Sequence, residues 1–156
     1  MKEVRPLWME GGKLWLLDQK ALPWRRKVLA CERPEQVAEA IKSMTIRGAP
    51  ALGIAAAYGI VLSLKGFAGN KEEALKRAAR AAELLINTRP TAHNIRWAVE
   101  RILRRLQEDE QEPYSLALLE AQAIEREDYE ACRRMGELGS RLLEDGDSVL
   151  THCKRE

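Results

Sequence analysis

The sequence predicts an α+β fold: a small antiparallel three-stranded sheet, then a helical bundle, then a single strand near residue 150. Three observations carry this expectation. Gly11-Gly12 lies between two apolar runs, a hairpin signature because both turn positions accept positive φ. From Pro34 to Leu142 apolar residues recur at helical spacings. At residues 148–153 the pattern turns into a short β-like run, Ser-Val-Leu-Thr-His-Cys.

Taken in order, the first strand falls around residues 5–9 and the second at Leu14-Trp15-Leu16-Leu17. A third, at residues 27–31, follows the break at Pro23. Pro34 suits the first turn of a helix whose Val37, Ala40, Ile41 and Met44 form one face. Arg47-Gly48-Ala49 interrupts it, and Pro50 restarts a helix to about Leu64, stopped by Gly66, Gly69 and Asn70. Residues 71–86 are helical by propensity. After Asn87-Thr88-Arg89-Pro90 comes a helix from about Thr91 to Gln107, with Ile95, Val99, Ile102, Leu103 and Leu106 inward and Thr91 as a possible cap. Pro113 opens a long last helix, whose Ile124, Ala131, Met135, Leu138 and Leu142 form a stripe expected to face a core. Residues 144–147 form a turn before the lone strand. A single strand cannot satisfy its backbone alone, so it reads as the first of a further domain. The division is residues 1–144 for the sheet and helices and 145–156 for the start of the second domain.

Composition bounds the function. The 156 residues are 46% apolar and 32% charged, the balance of a soluble globular chain. A net charge of +2 argues against a polyanion binder, so no nucleic-acid partner is expected. Cys31, Cys132 and Cys153 are scattered without C-x-x-C spacing, which fits reduced thiols in the cytoplasm. No apolar h-region follows the charged first residues. The charge-free stretch at residues 48–64 is Gly/Ala-rich and barely of spanning length, so a buried core helix is expected and no membrane partner.

Three places could carry chemistry. At Arg47-Gly48-Ala49-Pro50 a glycine turn feeds a helix start. Unpaired N–H groups and the helix dipole favour phosphate there, and Arg47 offers bidentate hydrogen bonds. An ordinary helix–turn–helix is the plainer explanation. At Arg89 a second arginine precedes a helix, the plainer reading again being a capping loop. Cys153 sits at the carboxyl end of the last strand, where ligands gather in open α/β sheets; a small buried thiol is the plainer reading. His152 and Cys153 point to opposite faces, against a shared dyad or metal site. Arg101, Arg104, Arg105, Arg133 and Arg134 alternate with glutamates and are expected on solvated faces. Trp8, Trp15, Trp24 and Trp97 are expected as core or interface anchors.

Read together, the blocks LDQ at Leu17, RGAPALG at Arg47, GIAAAYG at Gly53, TRPTAHN at Thr88 and DGDSVLTHC at Asp145 resemble the methylthioribose-1-phosphate isomerase family, which shares its fold with the initiation factor 2B subunits. The resemblance implies a cofactor-free aldose–ketose isomerase of methionine salvage, taking a small sugar phosphate and dimeric at full length. It places substrate contacts at Arg47, Gly48, Ala49 and Arg89, and one catalytic residue at Cys153. The family's catalytic aspartate lies in a C-terminal Rossmann-like domain, and no aspartate here is assigned to it. The family continues after THC with Asn-Ala-Gly where this chain has Lys154-Arg155-Glu156, so turnover by this chain alone is not expected. The alternative is a noncatalytic assembly module like the exchange-factor subunits.

Overall fold

The computed structural model describes residues 5–150. Strands β1 (Leu7–Glu10), β2 (Lys13–Leu17) and β3 (Val28–Cys31) form one antiparallel sheet in that order. The β1–β2 hairpin turns on Gly11 and Gly12, with φ of 61° and 70°, a geometry glycine adopts without strain. Leu7, Leu14, Leu16 and Cys31 are buried in the core cluster. Trp8 and Trp15, paired in register, stack with ring centroids 6.3 Å apart. Both are only partly buried, and each indole N–H donates to Glu10. They form a cross-strand pair on the sheet and are not part of the buried core. Trp24 lies outside the core, at 88% exposed.

Helices α1 (Pro34–Lys42), α2 (Ala49–Leu64), α3 (Lys71–Ile86), α4 (His93–Glu108) and α5 (Pro113–Gly139) follow. The expected strands and helices match to within two or three residues. Helix α2 is the axle: every residue from Leu52 to Leu64 is buried, and α1, α3, α4, α5 and the sheet pack around it. A helix apolar on all sides belongs at the centre of a bundle. Among the described residues no helix is long and apolar enough to cross a membrane.

Three local expectations need correction. Met44 does not join the core: it takes φ 57° just past the α1 C-cap and is 52% exposed, a left-handed helix stop. Thr91 does not cap α4; the N-cap is Ala92, with no side-chain cap. Of the α5 stripe, Ile124 is buried, with Leu116, Ala117 and Ala121 before it, but Ala131, Met135, Leu138 and Leu142 are exposed. The reason is length. Helix α5 has 27 residues against 16 in α2 and α4, so at about 1.5 Å per residue it runs roughly 15 Å past them. Ser148-Val149-Leu150 has no strand partner among the described residues, and the expected strand, whose neighbours would belong to a further domain, is not tested by them. The remainder of that segment, Thr151 to Cys153, lies outside the described residues, so neither the strand's end nor Cys153 is placed.

Candidate functional site

Helix starts separate the bundle into two kinds. At α1 the Gln36 side chain accepts from the backbone N–H groups of Glu32 and Arg33, at 2.7 and 3.1 Å. At α3, Asn70 and Glu73 form a reciprocal capping box, and at α5 the Glu112 carboxylate accepts from Tyr114 and Ser115. Helices α2 and α4 have neither a side-chain cap nor an acidic residue in the first turn. These are the two helices preceded by Arg47 and Arg89. Their first turns keep unpaired N–H groups and the positive end of the helix dipole, with no carboxylate of their own to offset it.

At α2 the N-cap is Gly48, with φ 91°, a value that favours glycine. Pro50 sits in the first turn, where its missing N–H is no loss. The Nε of Arg47 is buried and has no hydrogen-bond partner. A buried donor without a partner is costly unless a ligand completes it. The turn is held from the sheet side: the Gln19 N–H donates to Thr45 O at 2.9 Å, and its side-chain amide to Arg47 O at 3.4 Å. Sequence reasoning noticed Gln19 only as part of a family block and missed this positioning role, because a contact across 28 residues leaves no local signal.

Arg89 is half-buried in the turn before α4, where its carbonyl accepts from Ala92 N–H at 2.9 Å. The two helix starts are brought side by side by Gly53. A Cβ there would stand 2.9 Å from the Asn94 carbonyl oxygen, so only glycine lets α2 and α4 approach so closely. A cleft of about 490 Å³ opens between them, lined by Pro50, Gly53 and Ile54 of α2, His93, Asn94 and Trp97 of α4, and Ile124, Glu127 and Asp128 of α5. A larger cleft of about 590 Å³ lies between β1 and α5 and shares Ile54 and Asp128. Neither arginine-bearing helix start lines it, so the smaller one is the better candidate.

Arg101 also corrects the sequence reading. It is not a free surface charge: its guanidinium binds Glu120 at 2.6 Å and both oxygens of Glu127 at 2.5 and 2.7 Å, joining α4 to α5. It also lies over the Trp97 ring, 5.4 Å from its centroid. The Arg101 hydrogen bond holds the Glu127 carboxyl below the usual range, whereas burial raises that of Asp128. Beside them, buried Tyr58 donates to Glu125 and ties α2 to α5; burial, then that hydrogen bond, pushes its hydroxyl well above the ordinary tyrosine range. Burial raises the Cys31 thiol to about 11, which suits an inert core cysteine, while Cys132 is exposed. Among the described residues no group of three or more His, Cys, Asp or Glu could hold a metal ion.

The first turns of α2 and α4, each preceded by an arginine, border one cleft, and neither Arg47 nor Arg89 is among its lining residues. Residues 45–156 match the model of the Initiation factor 2 subunit family, and the chain belongs to that family. It is 46% identical over 96% of its length to a methylthioribose-1-phosphate isomerase of Desulforudis audaxviator, covering 44% of that protein. It is 43% identical over 97% of its length to a putative methylthioribose-1-phosphate isomerase of Methanocaldococcus jannaschii, covering 43% of it. The crystal structure of 5-methylthioribose 1-phosphate isomerase from Pyrococcus horikoshii superposes with a TM-score of 0.87 at 41% identity, over 93% of this chain and 42% of that one. The crystal structure of the translation initiation factor eIF-2B, subunit delta, from A. fulgidus gives 0.86 at the same identity, over 93% of this chain and 43% of its own. The chain thus spans less than half the length of these relatives.

Proposed function

We propose that this chain forms the phosphate-gripping part of a methylthioribose-1-phosphate isomerase, an aldose–ketose isomerase of methionine salvage. The observation that carries the reading is the buried, unpartnered Nε of Arg47 at the uncapped start of α2. The substrate phosphate lies against that helix start, with the Gly48 and Ala49 backbone close to it and Arg89 completing the grip. The conversion to 5-methylthioribulose 1-phosphate reduces C1 and oxidises C2 within one molecule, so its stoichiometry calls for no external cofactor. Cys153 supplies acid–base chemistry at the sugar carbons, together with an aspartate of a Rossmann-like domain that residues 145–156 begin. The site is in the cytoplasm, and the complete enzyme is a homodimer.

The A. fulgidus eIF-2B delta-subunit structure is as similar in fold, so the fold does not choose between an enzyme and an assembly module. The relatives' names and the two uncapped helix starts preceded by Arg47 and Arg89 support the enzyme. The test is complementation: the C-terminal part of the Desulforudis audaxviator relative is supplied on a second chain and ketose formation is assayed. The chain alone gives no turnover, the mixture does, and Arg47→Ala lowers kcat/KM at least about tenfold, the loss of one charge-assisted contact. A mixture that stays inactive at high protein concentration, or activity indifferent to Arg47, contradicts the proposal.

A further inference from the structure

The loop between β2 and β3 carries a charge imbalance that the α2 and α4 starts do not account for. From Gln19 to Cys31 there are four basic residues, Lys20, Arg25, Arg26 and Lys27, and no acidic one. The whole chain is only +2, so the rest of it is net acidic. All four side chains are exposed, and none forms an ion pair among the described residues. On the helices, by contrast, Arg96, Arg105 and Arg133 each meet a carboxylate one turn on, at Glu100, Asp109 and Glu137, which cancels their fields nearby. The loop charges have no such partners, and their fields add. The loop is also fixed beside the start of α2. Asp18 N–H donates to Lys27 O and Arg25 N–H to Ala21 O, both at 2.8 Å, closing the loop on itself. Gln19 ties its base to the neighbouring turn, donating from its backbone to Thr45 O at 2.9 Å and from its side chain to Arg47 O at 3.4 Å. With consecutive Cα atoms about 3.8 Å apart, these links hold all four basic residues within roughly 20 Å of Arg47. Screening lengths are about 10 Å in 0.1 M salt and about 30 Å in 0.01 M. The loop's field therefore reaches the α2 start in dilute salt and is cut off in concentrated salt.

We propose that Lys20, Arg25, Arg26 and Lys27 steer the anionic sugar phosphate to the start of α2, speeding encounter without touching the bound ligand. The inference rests on the sugar-phosphate reading and deepens it. Steering matters here because two carboxylates of α5, Glu127 and Asp128, line the cleft that an anion approaches. Arg101 neutralises Glu127, and the loop's field opposes that of Asp128. Steering and holding are separable by their kinetics. A charge excess acts through its sum, so arginine and lysine are interchangeable in it and the effect falls on the association rate. A direct grip uses the planar guanidinium fork, where lysine is a poor substitute, and its loss appears in the dissociation rate.

The test is stopped-flow fluorescence of the 156-residue chain mixed with 5-methylthioribose 1-phosphate, with Trp97 at the cleft as reporter. In about 10 mM salt, the chain carrying Lys20→Gln, Arg25→Gln, Arg26→Gln and Lys27→Gln together associates at least about tenfold more slowly, while its dissociation rate stays within about twofold. Arg26→Glu alone, a smaller change at an exposed position, slows association about threefold. Both differences close in about 1 M salt, where the screening length is about 3 Å. The pair Arg25→Lys and Arg26→Lys keeps the unsubstituted chain's rate. Unchanged association in the fourfold variant, a loss carried by dissociation, a loss that persists in 1 M salt, or a loss in the lysine pair overturns the inference. In each of those outcomes the sugar phosphate still binds the unsubstituted chain, and the sugar-phosphate reading stands without steering. No binding of the sugar phosphate to the unsubstituted chain overturns both.

Discussion

Glu127 and Asp128 stand one residue apart on α5, and their environments push them in opposite directions. The Arg101 hydrogen bond lowers the Glu127 carboxyl, so this group contributes stability at pH values above its unfolded value of about 4.3 and loses it as pH falls through the lower folded value. Burial raises Asp128, so its contribution has the reverse sign: stability declines as pH rises from about 3.9 through the raised folded value. Glu127→Gln is therefore expected to lower stability at pH 7 by no more than about 1 kcal/mol, since half the side chain is open to water and the pair is screened. Asp128→Asn is expected to raise it slightly at pH 7 and to be neutral below pH ~3.5. Thermal unfolding of both variants between pH 3 and 7 checks the signs. None of this was legible in sequence, where both residues look like exposed members of an alternating-charge helix. Arg47 and Arg89 were visible, because a turn feeding a helix start is a local pattern.

Among the elements, the pairing of α2 with α4 decides whether the two arginines can act together. Gly53 and Gly59 both face neighbouring helices, but their neighbours differ in kind. A Cβ at Gly53 meets the Asn94 backbone carbonyl, which cannot yield without moving α4. At Gly59 it meets the end of the Leu85 side chain, which can adopt another rotamer. Gly53→Ala is expected to destabilise by about 1–3 kcal/mol and Gly59→Ala by less, in urea unfolding. The Gly53 variant should also weaken phosphate-sugar binding beyond its effect on stability, because it parts the two helix starts. The helix boundaries were readable because propensity, capping and proline position are local. The exposed end of α5 was not, since periodicity reveals an apolar face and not the length of the neighbour available to cover it.

Across the whole molecule, one buried helix organises everything else. The charge-free run at residues 48–64 announces α2 in the sequence, and its position at the centre follows from being apolar on every side. The sheet then supports the Arg47 turn through Gln19, and α5 closes the cleft through Ile124, Glu127 and Asp128. The cleft itself draws on residues from positions 50 to 128, and such convergence has no sequence signature. The family blocks pointed to the phosphate-gripping turns but said nothing of Trp97 or Asp128.

The central claim is that the starts of α2 and α4 act as one phosphate grip, and a backbone-amide NMR titration of the intact chain with 5-methylthioribose 1-phosphate tests it most directly. The predicted result is a set of saturable shifts confined to the Gly48-to-Gly53 and Arg89-to-Trp97 amides, moving with a single dissociation constant and lost together in Arg47→Ala. Shifts at only one of the two turns, shifts centred elsewhere, or a response unchanged by Arg47→Ala would contradict it.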